Sequence, residues 1–173
     1  MRVVAGEFKG RRLRAPRGGA TRPTADRVRE ALFSMLGDVD GLRVLDLFAG
    51  SGALGIEALS RGAREAVFVD SDPRAVAAIR RNLEAVGAHA AVFQGDALVA
   101  IARAQAPYDL VFVDPPYDSA PRLAGALAER LAAVASENAR IVTESDKRHP
   151  LELSFPLLRE RTYGDTRIAI HGR

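Results

Sequence analysis

The sequence predicts an α/β domain built on a doubly wound, mostly parallel sheet, and three observations carry that expectation. Short runs rich in Val, Ile, Leu and Phe alternate with Ala- and Arg-rich stretches of helical character. The runs are apolar almost without interruption, as strands buried on both faces are. A glycine-rich segment follows the first of them, where such sheets bind nucleotide-like cofactors.

The elements follow in order. Residues 2–14 alternate loosely, and Gly6, Gly10 and Pro16-Arg17-Gly18-Gly19 punctuate them, which predicts a hairpin and a loop. Thr24 is placed to cap a helix whose apolar positions Val28, Ala31, Leu32, Met35 and Leu36 share one face, with Gly37 and Gly41 at its end. Strands are then expected over Arg43–Phe48, Ala66–Asp70, Ala91–Gln94, Leu110–Asp114 and Arg140–Thr143. The helices between them are expected over Leu54–Ser60, Arg74–Val86, Leu98–Ala104 and Leu123–Val134. Leu157–Tyr163 and Thr166–His171 flank Gly164-Asp165 and read as an antiparallel hairpin at the sheet edge. The chain thus divides into a small basic N-terminal hairpin and helix, residues 1–41, and a main domain, residues 42–173.

Composition narrows the class. A chain of 173 residues, 47% hydrophobic, fits one domain with a sizeable core. It has no cysteine, which excludes disulfides and thiolate metal sites. The three histidines, His89, His149 and His171, lack ligand-like spacing, so no metal is expected. No run has the length of a signal peptide or a membrane span, and a cytoplasmic, monomeric protein is expected. The charge is uneven: residues 1–30 carry nine Lys and Arg against Glu7, Asp26 and Glu30, a local +6 in a chain of net +3. A basic arm on a slightly acidic body suggests a polyanionic partner.

Two motifs carry the chemistry. Asp46-Leu47-Phe48-Ala49-Gly50-Ser51-Gly52-Ala53-Leu54-Gly55 places glycines between a strand and a helix, so that backbone can approach a ligand at the helix N-terminus. Asp70 closes the next strand about 20 residues on, where a carboxylate accepts from ribose hydroxyls. This pair alone leaves NAD and S-adenosylmethionine open. Asp46 separates them, because a carboxylate beside the loop repels a pyrophosphate and attracts an ammonium. Asp96 and Ala97, after the third strand, are weaker candidates for the adenine end of the cofactor. Asp114-Pro115-Pro116-Tyr117 closes the fourth strand. An exocyclic amine is a poor nucleophile until its nitrogen pyramidalises. Hydrogen bonds to the Asp114 carboxylate and the Pro115 carbonyl favour that geometry, and Tyr117 offers a face for a stacked base.

These residues, with Arg2 to Leu13, Thr21-Arg22-Pro23-Thr24, Asp26 to Phe33 and Tyr163-Gly164-Asp165-Thr166, resemble the bacterial small-subunit ribosomal RNA guanine-N2 methyltransferases of the D family. The resemblance spans nearly the whole chain. It implies a seven-stranded class I methyltransferase sheet, S-adenosyl-L-methionine as cofactor, and a guanine in the 16S RNA of an assembled or partly assembled small subunit as substrate. The cofactor set expected here is Asp46, Phe48, Ala49, Gly50, Gly52, Asp70, Asp96, Ala97 and Asp114. The catalytic set is Asp114, Pro115, Pro116 and Tyr117, and RNA is expected to meet Arg2, Lys9, Arg11, Arg12, Arg22 and Arg27. Similar proteins often carry Glu where this chain has the shorter Asp70.

Other readings compete. A DNA adenine methyltransferase would share the Asp-Pro-Pro-Tyr loop, but 173 residues leave little room for a sequence-reading domain. A protein glutamine methyltransferase gives the basic arm no purpose. An NAD-dependent oxidoreductase conflicts with Asp46 and the Pro-Pro loop, and a non-catalytic RNA-binding module leaves the filled catalytic positions unexplained.

Overall fold

A computed structural model describes residues 1–16, 26–104, 107–116 and 120–173. The order of elements is α1 (Asp26–Leu36), β1 (Arg43–Leu47), α2 (Ala53–Ser60), β2 (Glu65–Asp70), α3 (Pro73–Val86), β3 (Ala91–Gln94), α4 (Ala97–Ala102), β4 (Tyr108–Val113), α5 (Ala120–Val134), β5 (Ala135–Asp146), β6 (Leu157–Tyr163) and β7 (Thr166–Gly172). The seven strands form one sheet in the order β3-β2-β1-β4-β5-β7-β6. All neighbours from β3 to β5 are parallel, and β7 runs antiparallel to both β5 and β6.

Alternation along the strands sorts side chains into two apolar layers. Val44, Ala66, Phe68, Leu110, Phe112 and Val142 meet α1, α2 and α3 on one face. Leu45, Val67, Val69, Val111, Val113 and Ile141 meet α4, α5 and Leu151 on the other. Phe33 of α1 packs on Phe112 with ring centroids 5.9 Å apart, and burying each such ring contributes about 1.5–3 kcal/mol. The first helix therefore belongs to the same layer as α2 and α3.

The element boundaries show what local pattern misses. β5 begins at Ala135 rather than Arg140, because its first residues pair with Tyr108 before a bulge resets the register at Leu110 opposite Arg140. Arg140 then caps the end of α1, donating to the carbonyls of Leu36 and Asp38. The Gly164-Asp165 turn joins two antiparallel strands as expected, but only β6 lies at the edge. β7, whose Ile168, Ala169 and Ile170 are buried, is inserted beside β5. The expected cap Thr24 lies outside the described residues, whereas Asp72 caps α3 by accepting from the Arg74 N–H, with Pro73 in the first turn.

The N-terminal segment folds onto the domain. Val3 donates its N–H to the Arg11 carbonyl and accepts from Gly10, and Arg2 bridges Arg12. Val3 and Leu13 enter the apolar layer that covers β1 and β4. Glu57 of α2, fully buried, accepts from the N–H groups of Val4 at 2.8 Å and Ala5 at 2.9 Å. Gly6 is required at the closest approach, since a Cβ there would lie 1.7 Å from the Ser60 carbonyl oxygen. Arg29 counted toward the basic arm in the sequence, yet it is fully buried between Glu57 and Asp26.

Candidate active site

The strand alternation does more than sort the core. On the face covered by α1 to α3, the rows Val44-Asp46, Phe68-Asp70, Phe112-Asp114 and Val142-Glu144 each end in a carboxylate. Asp46 lies level with Phe68 and Phe112, and Val142 pairs with Phe112. Asp70, Asp114 and Glu144 consequently stand one pleat above Asp46. Four adjacent strands thus raise a crest of carboxyl groups at their carboxyl ends, where open α/β sheets bind ligands.

The crest is electrostatically strained. Burial raises the Asp46 carboxyl to about 8, against a lowering hydrogen bond from the Gly55 N–H and with a further push from Asp70. Asp114 is raised well above the usual carboxylate range by burial first, then by Glu144 and Asp46. Like charges this close favour a proton or a cationic ligand among them. S-adenosylmethionine carries an ammonium and a sulfonium, so the chemistry of this crest fits it, whereas a pyrophosphate would add to the repulsion.

The loop after β1 is held from three sides. Phe48, at φ 57°, is the only described non-glycine residue with positive φ and turns the chain out of the strand. Ala49 donates to the Val69 carbonyl, and Gly50 donates to Asp70 Oδ2 at 2.8 Å. Asp46 Oδ2 accepts from Gly55 at 2.9 Å, so its side chain reaches the first turn of α2. A Cβ on Gly55 would lie 2.4 Å from Phe68 Cε1 and 3.0 Å from Asp46 Oδ2, which is why the third glycine stands there. Gly52 starts the helix at φ 75°.

The predicted residues divide accordingly. Asp46, Phe48, Ala49, Gly50, Gly52, Asp70 and Asp114 converge on the carboxyl edge of β1, β2 and β4. Asp96 is exposed and caps α4, accepting from Val99 at 3.1 Å, with Ala97 buried behind it. Pro115 is buried and Pro116 exposed, its carbonyl accepting from Ala120 at the start of α5; Tyr117 lies outside the described residues. Of the expected RNA contacts, Arg2, Lys9, Arg11, Arg12 and Arg27 are exposed, and Arg22 lies outside the described residues. Arg2 also meets Asp26 at 3.6 Å, and Arg11 donates to the Ala85 carbonyl. Among the described residues no cluster of His, Asp and Glu is arranged to hold a metal ion, and no helix is long and apolar enough to cross a membrane.

Sequence reasoning missed Glu144. The available signal was that an acidic residue closes its apolar run, as in β2 and β4. It also missed Asn82, which reaches the glycine loop from α3.

The sheet, its glycine loop and its acidic crest define a class I S-adenosylmethionine-dependent methyltransferase fold. Residues 1–172 match the family model described as conserved hypothetical protein 95. The chain is 41% identical over 184 residues to Bacillus subtilis YlbH, provisionally named an rRNA methyltransferase, covering 99% of this chain and 98% of that one. It is 34% identical to the ribosomal RNA small subunit methyltransferase D of Haemophilus influenzae, covering 95% and 89%. The structure of Escherichia coli yhhF superposes with a TM-score of 0.85 at 33% identity, covering 100% and 97%. The chain belongs to the ribosomal RNA small subunit methyltransferase D family.

Proposed function

We propose that this protein methylates the exocyclic N2 amine of a guanine in small-subunit (16S) ribosomal RNA. The observation that carries this reading is Asp114. Its carboxyl group directly follows Val113, the last residue of β4, within the acidic crest and immediately before the buried Pro115. When bound, S-adenosylmethionine supplies a methyl group on a positively charged sulfur. The chain's own residues then have distinct tasks.

Asp46, Phe48, Ala49, Gly50, Gly52, Asp70, Asp96 and Ala97 hold the cofactor, the carboxylates taking its positive charges and hydroxyls. The Asp114 carboxylate and the Pro115 carbonyl accept the two N–H bonds of the guanine amine. That pulls its lone pair out of conjugation and aims it in line with the methyl–sulfur bond. Pro115 and Pro116 stiffen the loop without adding N–H donors, and Tyr117 stacks on the unstacked base. Burial first, and then Glu144 and Asp46, raise the Asp114 carboxyl, so that in its ionised form it is suited to take the proton that the amine loses.

Arg2, Lys9, Arg11, Arg12, Arg22 and Arg27 meet RNA phosphate, within the N-terminal unit of residues 1–41. Residues 42–173 form the methyltransferase unit, and the folded surface of an assembled or partly assembled subunit supplies specificity.

The test offers labelled S-adenosylmethionine with four acceptors: subunits lacking the modification, naked RNA, duplex DNA and free protein. Label should enter subunits best and appear as N2-methylguanine on nucleoside analysis. Asp114→Ala should abolish turnover in a folded protein. Methylated adenine would sink the guanine reading alone; a better DNA or protein acceptor would sink the RNA reading.

A further inference from the structure

Asn82 lies on the inner side of α3 with only 1% of its surface exposed, among Ile79, Leu83 and Val86. A mid-helix asparagine is a poor helix former, and a buried carboxamide is costly unless its polar atoms are satisfied. Here they are satisfied by two segments far apart in sequence. Oδ1 accepts from the Arg14 N–H at 2.8 Å, and Nδ2 donates to the Arg14 carbonyl at 2.9 Å. The same Nδ2 donates to the Ser51 carbonyl at 2.8 Å, between the two glycines of the cofactor loop. The two segments meet again where Ser51 Oγ lies 3.4 Å from Met1 Sδ. One turn further along α3, the Arg11 guanidinium donates to the Ala85 carbonyl.

We propose that Asn82 is a positioning residue joining the N-terminal basic segment to the cofactor loop, so that a ligand on either one favours the ordered state of the other. Lifting the segment strips Asn82 of two of its three hydrogen bonds inside an apolar layer, and the Ser51 carbonyl loses a fixed donor. A cofactor that holds the loop therefore also holds Arg14 and its exposed neighbours Arg11 and Arg12. By reciprocity, a polyanion held by those arginines strengthens cofactor binding by the same factor. That second half rests on the proposed RNA-binding role of the segment; the first half does not.

The test is accordingly made without RNA. Amide hydrogen exchange of residues 8–14 is followed with and without S-adenosylhomocysteine in the wild type, Asn82→Ala, Asn82→Asp and Arg14→Pro. Asn82→Asp keeps the shape of the side chain and removes both donors. Arg14→Pro removes the N–H on the other side of the bond, and it carries the test if α3 does not tolerate substitution.

In the wild type, saturating ligand should slow exchange of the segment about tenfold, within the usual range of coupling between sites. In each variant the slowing should fall below about twofold. Calorimetry should show ligand affinity reduced roughly tenfold in Asn82→Ala, as expected when a buried hydrogen-bonded group is lost. Equal slowing in a folded Asn82→Ala protein, or none in a wild type that binds the ligand, overturns the coupling alone. A wild type that does not bind the ligand overturns the cofactor reading with it. Failure of the RNA reading would instead show as subunits that bind no better than naked RNA, with the exchange result unchanged.

Discussion

Gly50 donates its backbone N–H to Oδ2 of Asp70 across 2.8 Å, tying the loop after β1 to the end of β2. The other carboxylate oxygen of Asp70 accepts from the Asp72 N–H at 2.9 Å, so the side chain organises two loops. A carboxylate has about four acceptor positions, which leaves room for ribose hydroxyls. Asp70→Ala should weaken S-adenosylmethionine binding by about 1–3 kcal/mol, measured by calorimetry on the folded protein. Unchanged affinity would reduce Asp70 to a loop anchor.

Asp46 makes stability and binding depend on pH with a defined sign. Its carboxyl is raised from 3.8 to about 8, chiefly by burial, so between these values the folded protein keeps a proton that the unfolded chain has released. The resulting stabilisation is full below 3.8 and is lost as the pH rises through about 8. Asp46→Asn removes that loss. Its melting temperature should exceed the wild type's at high pH and converge with it in acid. Cofactor binding should show the opposite trend in the wild type, because a cation beside Asp46 favours its ionised form. Affinity should rise with pH toward 8 and flatten beyond it, and a flat profile across this range would contradict the placement of positive charge at Asp46.

Glu57 holds the N-terminal segment through the N–H groups of Val4 and Ala5, and it pairs with Arg29 and with Arg61, the latter at 2.9 Å. Glu57→Ala strips the buried Arg29 of one counter-charge and leaves two backbone donors facing an apolar layer. Breaking a buried pair from one side costs about 3–5 kcal/mol. Urea denaturation should register that loss, and limited proteolysis should cut the variant earlier within residues 1–14. A loss under about 1 kcal/mol would mean that water replaces the carboxylate freely.

Lys9 and Arg12 are exposed, and their charges should act on a partner more than on the fold. Neutralising each should leave the melting temperature nearly unchanged and weaken subunit binding. The slope of log affinity against log salt should fall by about one for each phosphate contact removed. Unaltered slopes would place the RNA on another face.

Much of the fold was legible because its signals are local. Strand after strand reads as an apolar run, closed by a carboxylate in β2 and just after β4, and Gly50 to Gly55 must turn tightly whatever the rest of the chain does. Asp114-Pro115-Pro116 declares its loop in the same way. These patterns determined the sheet class by themselves, and they single out the edge and the loop where cofactor binding and reaction are proposed.

Only the tertiary structure decided which groups stand together. Glu144 joins Asp114 because β5 pairs with β4 in a register that a bulge sets, and no residue near Glu144 encodes that bulge. β7 enters the sheet between β5 and β6 because it offers buried Ile168 and Ile170 while β6 does not. Arg29 has the same sequence appearance as Arg27, two residues away, yet one is buried against Glu57 and the other meets solvent. Asn82, an unremarked polar residue in a helix, reaches Arg14 and Ser51 only after the segment folds across α3. Sequence period records the face on which a side chain lies. Its partner across that face depends on long-range pairing, and the energy of that pairing appears only once the chain has closed on itself.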